Sequence, residues 1–268
     1  MESNEAFLSA FRNAKEGCLD WQTLSEDLHD NKTLVLASVV NDPMTIRYAG
    51  PNCRADLDVA DVVFSAHDAD HKLLSFMSNE IQANRMLVLK ACIQNGENLE
   101  FASVQLKNDK GIVIAAVQND GMALRHASDR LRNDKDVAWT AIDQDGLALQ
   151  YTSLRNDAKY VWGAISEDPR AIVHASPQVI ETNPHFVRQV IEDARNEDPS
   201  FFGDMPLSIR GNRVIVHDAI KHNGEYLLYA SDDLRLDLGM FRYAMKHARG
   251  TKRRREVEDD SDDDAPSA

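Results

Sequence analysis

The strongest metal-like phrase in the sequence is His67-Asp68-Ala69-Asp70-His71, two imidazoles four residues apart with carboxylates between them. On one helical face such a pair could bind zinc, which takes nitrogen, sulfur and carboxylate ligands. The glutamate of an H-E-x-x-H motif is missing, and the repeat described below puts His71 at a turn. The expectation is a polar corner between helices, with no metal and no cofactor. The nine histidines are scattered, with no nucleophile beside them. His126 and His174 occupy a recurring aromatic position, which suits half-buried packing better than proton transfer. Cys18, Cys53 and Cys92 stand 35 and 39 residues apart and form no C-x-x-C pair. An odd, unclustered set argues against a disulfide framework or a structural zinc site. The Asp-Gly pairs at 120–121 and 145–146 read as helix ends, and no glycine-rich phosphate loop occurs. No catalytic residue is expected, and the chain is expected not to be an enzyme.

Two groups of basic residues remain. Lys107, Arg132, Arg155 and Arg235 each follow a leucine at the end of a second helix. Stacked in register, they would form a ladder along one edge, suited to an acidic partner. The simpler expectation is pairing with the nearby Asp109, Asp134, Asp157 and Asp237, at helix C-termini where cations are favoured. The second group is Lys252-Arg253-Arg254-Arg255, at the head of a tail (250–268) with a single apolar side chain larger than alanine or proline, Val257. Its composition reads as disordered. The tetrabasic run resembles a nuclear import signal, so an import receptor is one expected partner and the location is nuclear or cytoplasmic. Ser261, followed by Asp262-Asp263-Asp264, suits kinases that prefer acidic flanks, and phosphate there would add negative charge near the basic run.

Overall charge narrows the function classes. The chain has 30 basic and 44 acidic residues, a formal net charge of −14. The tail holds 4 basic and 7 acidic residues, so it contributes −3 and leaves the body near −11. Such a surface repels phosphate backbones, and nucleic-acid binding is disfavoured. The apolar runs are short, such as Leu34-Val35-Leu36-Ala37, far below the roughly 20 residues that span a bilayer. The first residues, Met1-Glu2-Ser3-Asn4-Glu5, lack the basic-then-apolar order of a secretory signal.

What positions these residues is an internal repeat. Ser78, Ser103, Ser128 and Ser153 close an apolar-Ala-Ser-like phrase at a spacing of 25, and Ser176 follows after 23. Small residues keep step at Ala66, Ala91, Ala116, Ala141 and Ala164. A turn position reads His71, Gly96, Gly121, Gly146 and Pro169. A branched position reads Leu74, Leu99, Leu124, Leu149 and Ile172, and an aromatic or histidine position reads Phe76, Phe101, His126, Tyr151 and His174. The shorter step comes from two residues lost between Ser153 and Leu154. Within a unit, Asn133-Asp134-Lys135 supplies short polar oxygens ahead of an apolar run, an N-cap signal. Val137, Ala138, Ala141 and Ile142 recur at i, i+1, i+4 and i+5, one face of a helix. Gly146 then suits the left-handed residue that ends a helix, and a second helix of about 8 residues follows the first of about 10.

Helices this short are marginal alone in water. One such hairpin cannot bury both apolar faces, but stacked neighbours can. The predicted fold is all-α: an α-solenoid of about eight 25-residue helical-hairpin repeats with terminal capping helices over 1–249. Residues 1–30 form the N-terminal cap and 31–176 the regular repeats. Residues 177–211 form an irregular repeat whose Asp198-Pro199-Ser200-Phe201-Phe202-Gly203 appears degraded. Residues 212–249 form the last repeat and C-terminal cap.

The stretch from Asn108 to Ser128, NDKGIVIAAVQNDGMALRHAS, resembles a catalogued tandem helical repeat of unknown function, with the pattern N-D-K-x-[IV]-V-x-x-A-[IV]-x-x-D-G-x-A-L-x-[YH]-A-S. The resemblance is closest over 84–176 and 213–231. That family is known from protists, large DNA viruses and bacteria living inside protists. The resemblance implies tandem helical repeats and supplies no catalytic residues. A repeated core without converging reactive groups points to a protein–protein interaction scaffold or adaptor. The alternative is a structural component of a larger assembly, and less in keeping with the residues is an enzyme hidden in the irregular repeat.

Overall fold

The computed structural model describes residues 2–65, 72–193 and 199–247. The described residues are helical and contain no strand. The chain divides into two compact units, Met1–Thr152 and Ser153–Ala268, where the repeat leads one to expect a single body over 1–249. The division falls where the register loses its two residues.

Within the first unit, each layer is built from three pieces, which are shorter in the layer of Leu57–Val63 and Leu73–Phe76 and regular in the other four. A ten-residue α-helix comes first: Lys32–Asn41, Arg85–Gln94, Lys110–Asn119 or Lys135–Gln144. A six-residue 3-10 helix follows: Pro43–Tyr48, Gly96–Phe101, Gly121–His126 or Gly146–Tyr151. A single short turn of helix closes the layer, for example Asn79–Gln82 or Asp129–Arg132. The expected second helix is thus a 3-10 helix plus a separate turn. The reason lies in the small residue and serine between them, as at Ala127-Ser128. The alanine is extended, and the serine starts a new helix by accepting the Leu131 N–H at 3.4 Å. In the second unit the same order runs through Ala158–Glu167 with Pro169–His174, and Arg213–His222 with Gly224–Tyr229.

Six of the ten-residue helices open on an Asx cap. The side chains of Asn31, Asn84, Asp109, Asp134, Asp157 and Asn212 accept backbone N–H groups two or three residues on. A second Asx residue both ends the long helix and caps the 3-10 helix. Asp42, Asn95, Asp120, Asp145, Asp168 and Asn223 each accept the N–H two residues ahead. Caps of this kind are each worth about 1 kcal/mol, so the two-per-layer pattern stabilises helices too short to persist alone.

The core follows the predicted face. Val137, Ala138, Ala141 and Ile142 are buried, as are their counterparts Ile112, Val113, Ala116 and Val117 one layer earlier and Tyr160, Val161, Ala164 and Ile165 in the second unit. In the first unit Lys32–Asn41 packs on Leu57–Val63, Arg85–Gln94 on Lys110–Asn119 and Lys110–Asn119 on Lys135–Gln144, and the 3-10 helices likewise stack on one another. Cys53 and Cys92 belong to this core, and burial pushes their thiols up to about 11 and about 12, so they behave as inert apolar side chains. Cys18 is exposed.

Two expectations change. The turn glycines are not left-handed: among the described residues the one glycine with positive φ is Gly17. Gly96 and Gly121 serve close approach instead, because a Cβ there would lie within 3.0 Å of the carbonyl oxygens of Ala116 and Ala141 in the following layer. The stretch expected to be irregular also forms a layer, with Pro184–Asp193, Pro199–Asp204 and Leu207–Arg210 as its three pieces. Phe202 takes the branched core position and is fully buried. Its mismatch with the pattern is one of length: the long helix and 3-10 helix start 15 residues apart here against 11 in the regular layers, as at Arg85 and Gly96.

Candidate functional site

The layers of the first unit are tied by three side-chain and backbone ladders, and these absorb most of the polar groups singled out in the sequence. The first is made of amides at the ends of long helices. Asn41 Nδ2 donates to the Ala14 carbonyl at 2.8 Å, Gln94 Nε2 to the Phe64 carbonyl at 2.7 Å and Asn119 Nδ2 to the Ile93 carbonyl at 3.1 Å. Asn119 and Gln144 also accept the N–H of Gly96 and Gly121, at 2.8 and 2.5 Å. The second ladder is ionic. The basic residue just inside each cap reaches the cap carboxylate of the next layer: Lys32 to Asp56, Arg85 to Asp109 and Lys110 to Asp134, all between 2.8 and 2.9 Å. Arg213 meets Asp237 in the same way in the second unit.

This geometry reassigns the partners of the predicted basic strip. Asp109, Asp134 and Asp237 are held by Arg85, Lys110 and Arg213, not by Lys107, Arg132 and Arg235. Arg132 and Arg235 instead pair within their own short turns, with Asp129 and Asp232. Asp157 caps its helix through the Lys159 N–H. The strip position has a third role, which lies in the backbone. The carbonyls of Lys107 and Arg155 accept the N–H of Ser128 and Ser176 in the next layer, at 3.0 and 2.9 Å. Arg54, Gln82 and Arg210 do the same for Ser78, Ser103 and Ser231. These three escaped the sequence reading, although each lies four residues after the position that serine holds in regular layers, occupied here by Gly50, Ser78 and Pro206.

The densest polar cluster spans three layers around Glu97. Lys72 Nζ lies 2.8 Å from both Glu97 and Glu100, and Arg125 lies 2.5 Å from Glu97. Arg125 Nε donates to His126 Nε2 at 2.9 Å, and this leaves the His126 ring neutral with its proton on Nδ1. Burial of the ring holds its pKa below the usual histidine value, although Glu97 pulls the other way. His174, in the same slot of the second unit, is depressed by burial and by Arg155. Burial would raise the Glu97 pKa, but the Lys72 and Arg125 hydrogen bonds outweigh it and hold the carboxyl below its ordinary value.

Oxygen and nitrogen atoms of Glu97, Glu100 and His126 lie within 4.8 Å of one another, a spacing a divalent cation could use. Lys72 and Arg125 already set two positive charges against the two carboxylates, so an ion would have to displace them. The arrangement is that of an inter-layer clamp. The phrase His67 to His71, the run Lys252 to Arg255 and Ser261 lie outside the described residues.

These groups fix an acid response. The cap carboxylates Asp56, Asp109, Asp134, Asp168 and Asp237 are held low, four of them chiefly by a cation of the same or preceding layer and Asp237 chiefly by the Met240 N–H. Depressed carboxylates contribute stability above their unfolded value near about 4, lost as pH falls through the folded value. Depressed histidines contribute stability above about 6.5, lost as protonation is forced on the folded state. Both act in one direction. Urea midpoints should therefore hold steady near neutrality, begin to fall below about pH 6.5 and fall more steeply below about pH 4. Replacing His126 and His174 together by Phe should flatten the first decline and leave the second, and an unchanged first decline would refute the assignment.

Comparison with known proteins agrees with the layers. The family described as Domain of unknown function (DUF4116) matches residues 61–107, 109–154 and 134–180. Its last two matches start 25 residues apart, one layer of this structure. No curated protein and no solved structure matches the chain. Residues 61–107 and 109–180 are therefore similar to tandem units of this repeat family of unknown function.

Proposed function

We propose that the chain is a non-enzymatic scaffold that binds another protein through outward positions of its layers. The observation that carries this is the division of labour between layer positions. Core and cap positions repeat the same residue types, while the fifth position of the six-residue 3-10 helices varies, through Arg47, Glu100, Arg125, Gln150, Val173, Gly203 and Leu228, two of which, Glu100 and Arg125, also serve the Glu97 cluster. A fixed scaffold under a variable surface is the logic of repeat proteins that recognise partners. Side chains able to do chemistry are spent on structure: Ser78 and Ser128 cap, Asp120 and Asp145 cap, and His126 is clamped. No helix among the described residues is long and apolar enough to cross a membrane.

Affinity purification of the full chain from its own cells should recover a protein partner at stoichiometric yield, and an adaptor's partner should exchange with added competitor. A partner held in fixed, non-exchanging ratio would instead mark a component of a larger assembly. Turnover of a substrate by the purified chain, with or without added metal, would overturn the scaffold reading. Lys252 to Arg255 would engage an import receptor, with Ser261 as a phosphorylation site beside it. Removing residues 250–268 should lower nuclear accumulation in a microscopy assay, and an unchanged distribution would remove the import reading.

A further inference from the structure

The last described helix, residues 238–247, is the long helix of one more layer. Buried Met240 and Ala244 and the Asp237 cap on the Met240 N–H put it in register with Lys135–Gln144. In that earlier layer the next face is closed: Ala138 and Ile142 are buried beneath the 3-10 helix Gly146–Tyr151. Their counterparts Phe241 and Met245 are 52% and 43% exposed. With Leu227, Leu228, Arg235 and Ala244 they line a groove of about 290 Å³, in the place a 3-10 helix fills in every complete layer of this unit. The residues that follow in this register, Arg249-Gly250-Thr251-Lys252-Arg253-Arg254, hold none of the large apolar types that close the other layers.

The edge is also built apolar where the two regular layers that open at Lys110 and Lys135 are polar. Leu228 stands where they carry Arg125 and Gln150, Leu236 where they carry Asn108 and Asn133, and Leu238 where they carry Lys110 and Lys135. These three leucines are 66%, 82% and 72% exposed. A terminal repeat that simply ends a stack carries a polar outer face, and this one has exchanged it for leucine. Beside the groove, Arg242 and Lys246 flank Phe241 and Met245, and with Arg235 they outnumber the one acid of the groove lining, Glu225, on a chain of net charge −14. That excess disfavours a second copy of the same edge, which would bring like charges together.

We propose that this edge docks, in trans, a segment of a protein partner built like the repeat's own 3-10 helix. The segment would carry an acidic cap, then Gly or Pro, then a small and a branched apolar residue two and three positions on. It would continue the layer-to-layer interface already present inside each unit. The Arg235 carbonyl would accept one of its N–H groups, as the Arg210 carbonyl accepts that of Ser231. The inference rests on the scaffold reading and names one of its surfaces.

The test titrates the full chain with a synthetic peptide of residues 145–153, DGLALQYTS, the segment that fills the equivalent place four layers earlier. Saturable, weak binding is expected, with shifts confined to residues 224–246 in NMR spectra. The triple variant Leu228→Arg, Leu236→Asn and Leu238→Lys restores inner-layer residue types and so leaves the fold intact. It should weaken binding at least about tenfold, as should Phe241→Glu, a difference of about 1.4 kcal/mol or more. Equal binding of a scrambled peptide, or no saturation, would overturn the proposal. So would self-association of the chain that Phe241→Glu abolishes, or much tighter peptide binding after removal of residues 248–268. If the peptide fails while the chain still captures a stoichiometric partner, the scaffold stands and this edge does not.

Discussion

Gly121→Ala should destabilise the protein by about 1–3 kcal/mol, the range for overpacking a tight site. Replacing glycine with alanine at an unstrained position ordinarily stabilises by about 0.4–1 kcal/mol through the unfolded chain, so the sign is informative. Gly121 opens a 3-10 helix with no positive φ. An added Cβ would fall within 3.0 Å of the Ala141 carbonyl oxygen and 2.9 Å from Gln144 Oε1. That carbonyl cannot move aside, because it accepts the Asp145 N–H at 2.9 Å and belongs to a fully buried helix face. The layers would have to separate. Gly111 is the internal control. It lies in the first turn of Lys110–Asn119, and a Cβ there meets only the Arg85 guanidinium at 3.2 Å and the Asp109 carboxylate at 3.3 Å. Gly111→Ala should be neutral or raise stability by up to about 1 kcal/mol. Chemical denaturation of both variants gives the comparison. Gly121→Asn separates close approach from left-handed geometry, since asparagine tolerates the latter. If Gly121→Asn were much milder than Gly121→Ala, the close-approach account would fail.

Asn98→Ala should cost about 2 kcal/mol, even though alanine is what the repeat pattern places there. Ala123, Ala148 and Ala171 occupy the same position in later layers and are fully buried. Asn98 is equally buried, and its amide is fully used. Oδ1 accepts the Leu74 N–H of the preceding layer at 3.0 Å, and Nδ2 donates to the carbonyls of Ala91 and Asn95 at 3.1 and 3.2 Å. Alanine would leave the buried Leu74 N–H without this acceptor, and an unsatisfied buried group costs about 1–3 kcal/mol. Asn98→Leu keeps the volume and removes the same hydrogen bonds, so it should cost a similar amount. A neutral or stabilising Asn98→Ala in urea denaturation would show that the amide does not join the layers.

The two predictions mark where the sequence could and could not be read. Core faces were legible because helical periodicity is local: residues at i, i+1, i+4 and i+5 share a side whatever the neighbours are. Val137, Ala138, Ala141 and Ile142 needed nothing beyond their spacing. The caps were legible for the same reason, since an Asx side chain reaches only the next two or three N–H groups. The Glu97 clamp was hidden because Lys72, Glu97 and Arg125 are brought together from three layers. The amides Asn41, Gln94, Asn119 and Gln144 drew no notice because they look like ordinary helix ends. The degraded appearance of residues 198–203 misled because pattern matching counts residues, whereas Phe202 needs only to arrive at the core.

By itself, then, the amino-acid order determined the period, the buried face of each helix, the caps and the all-helical class, all of which depend on interactions within a few residues. Only the tertiary structure decided which carboxylate meets which cation, why the turn residue is glycine and which edge is left uncovered. Those depend on how far one layer is offset from the next. That offset is set by the meeting of two surfaces, and no spacing along a single strand of sequence contains it.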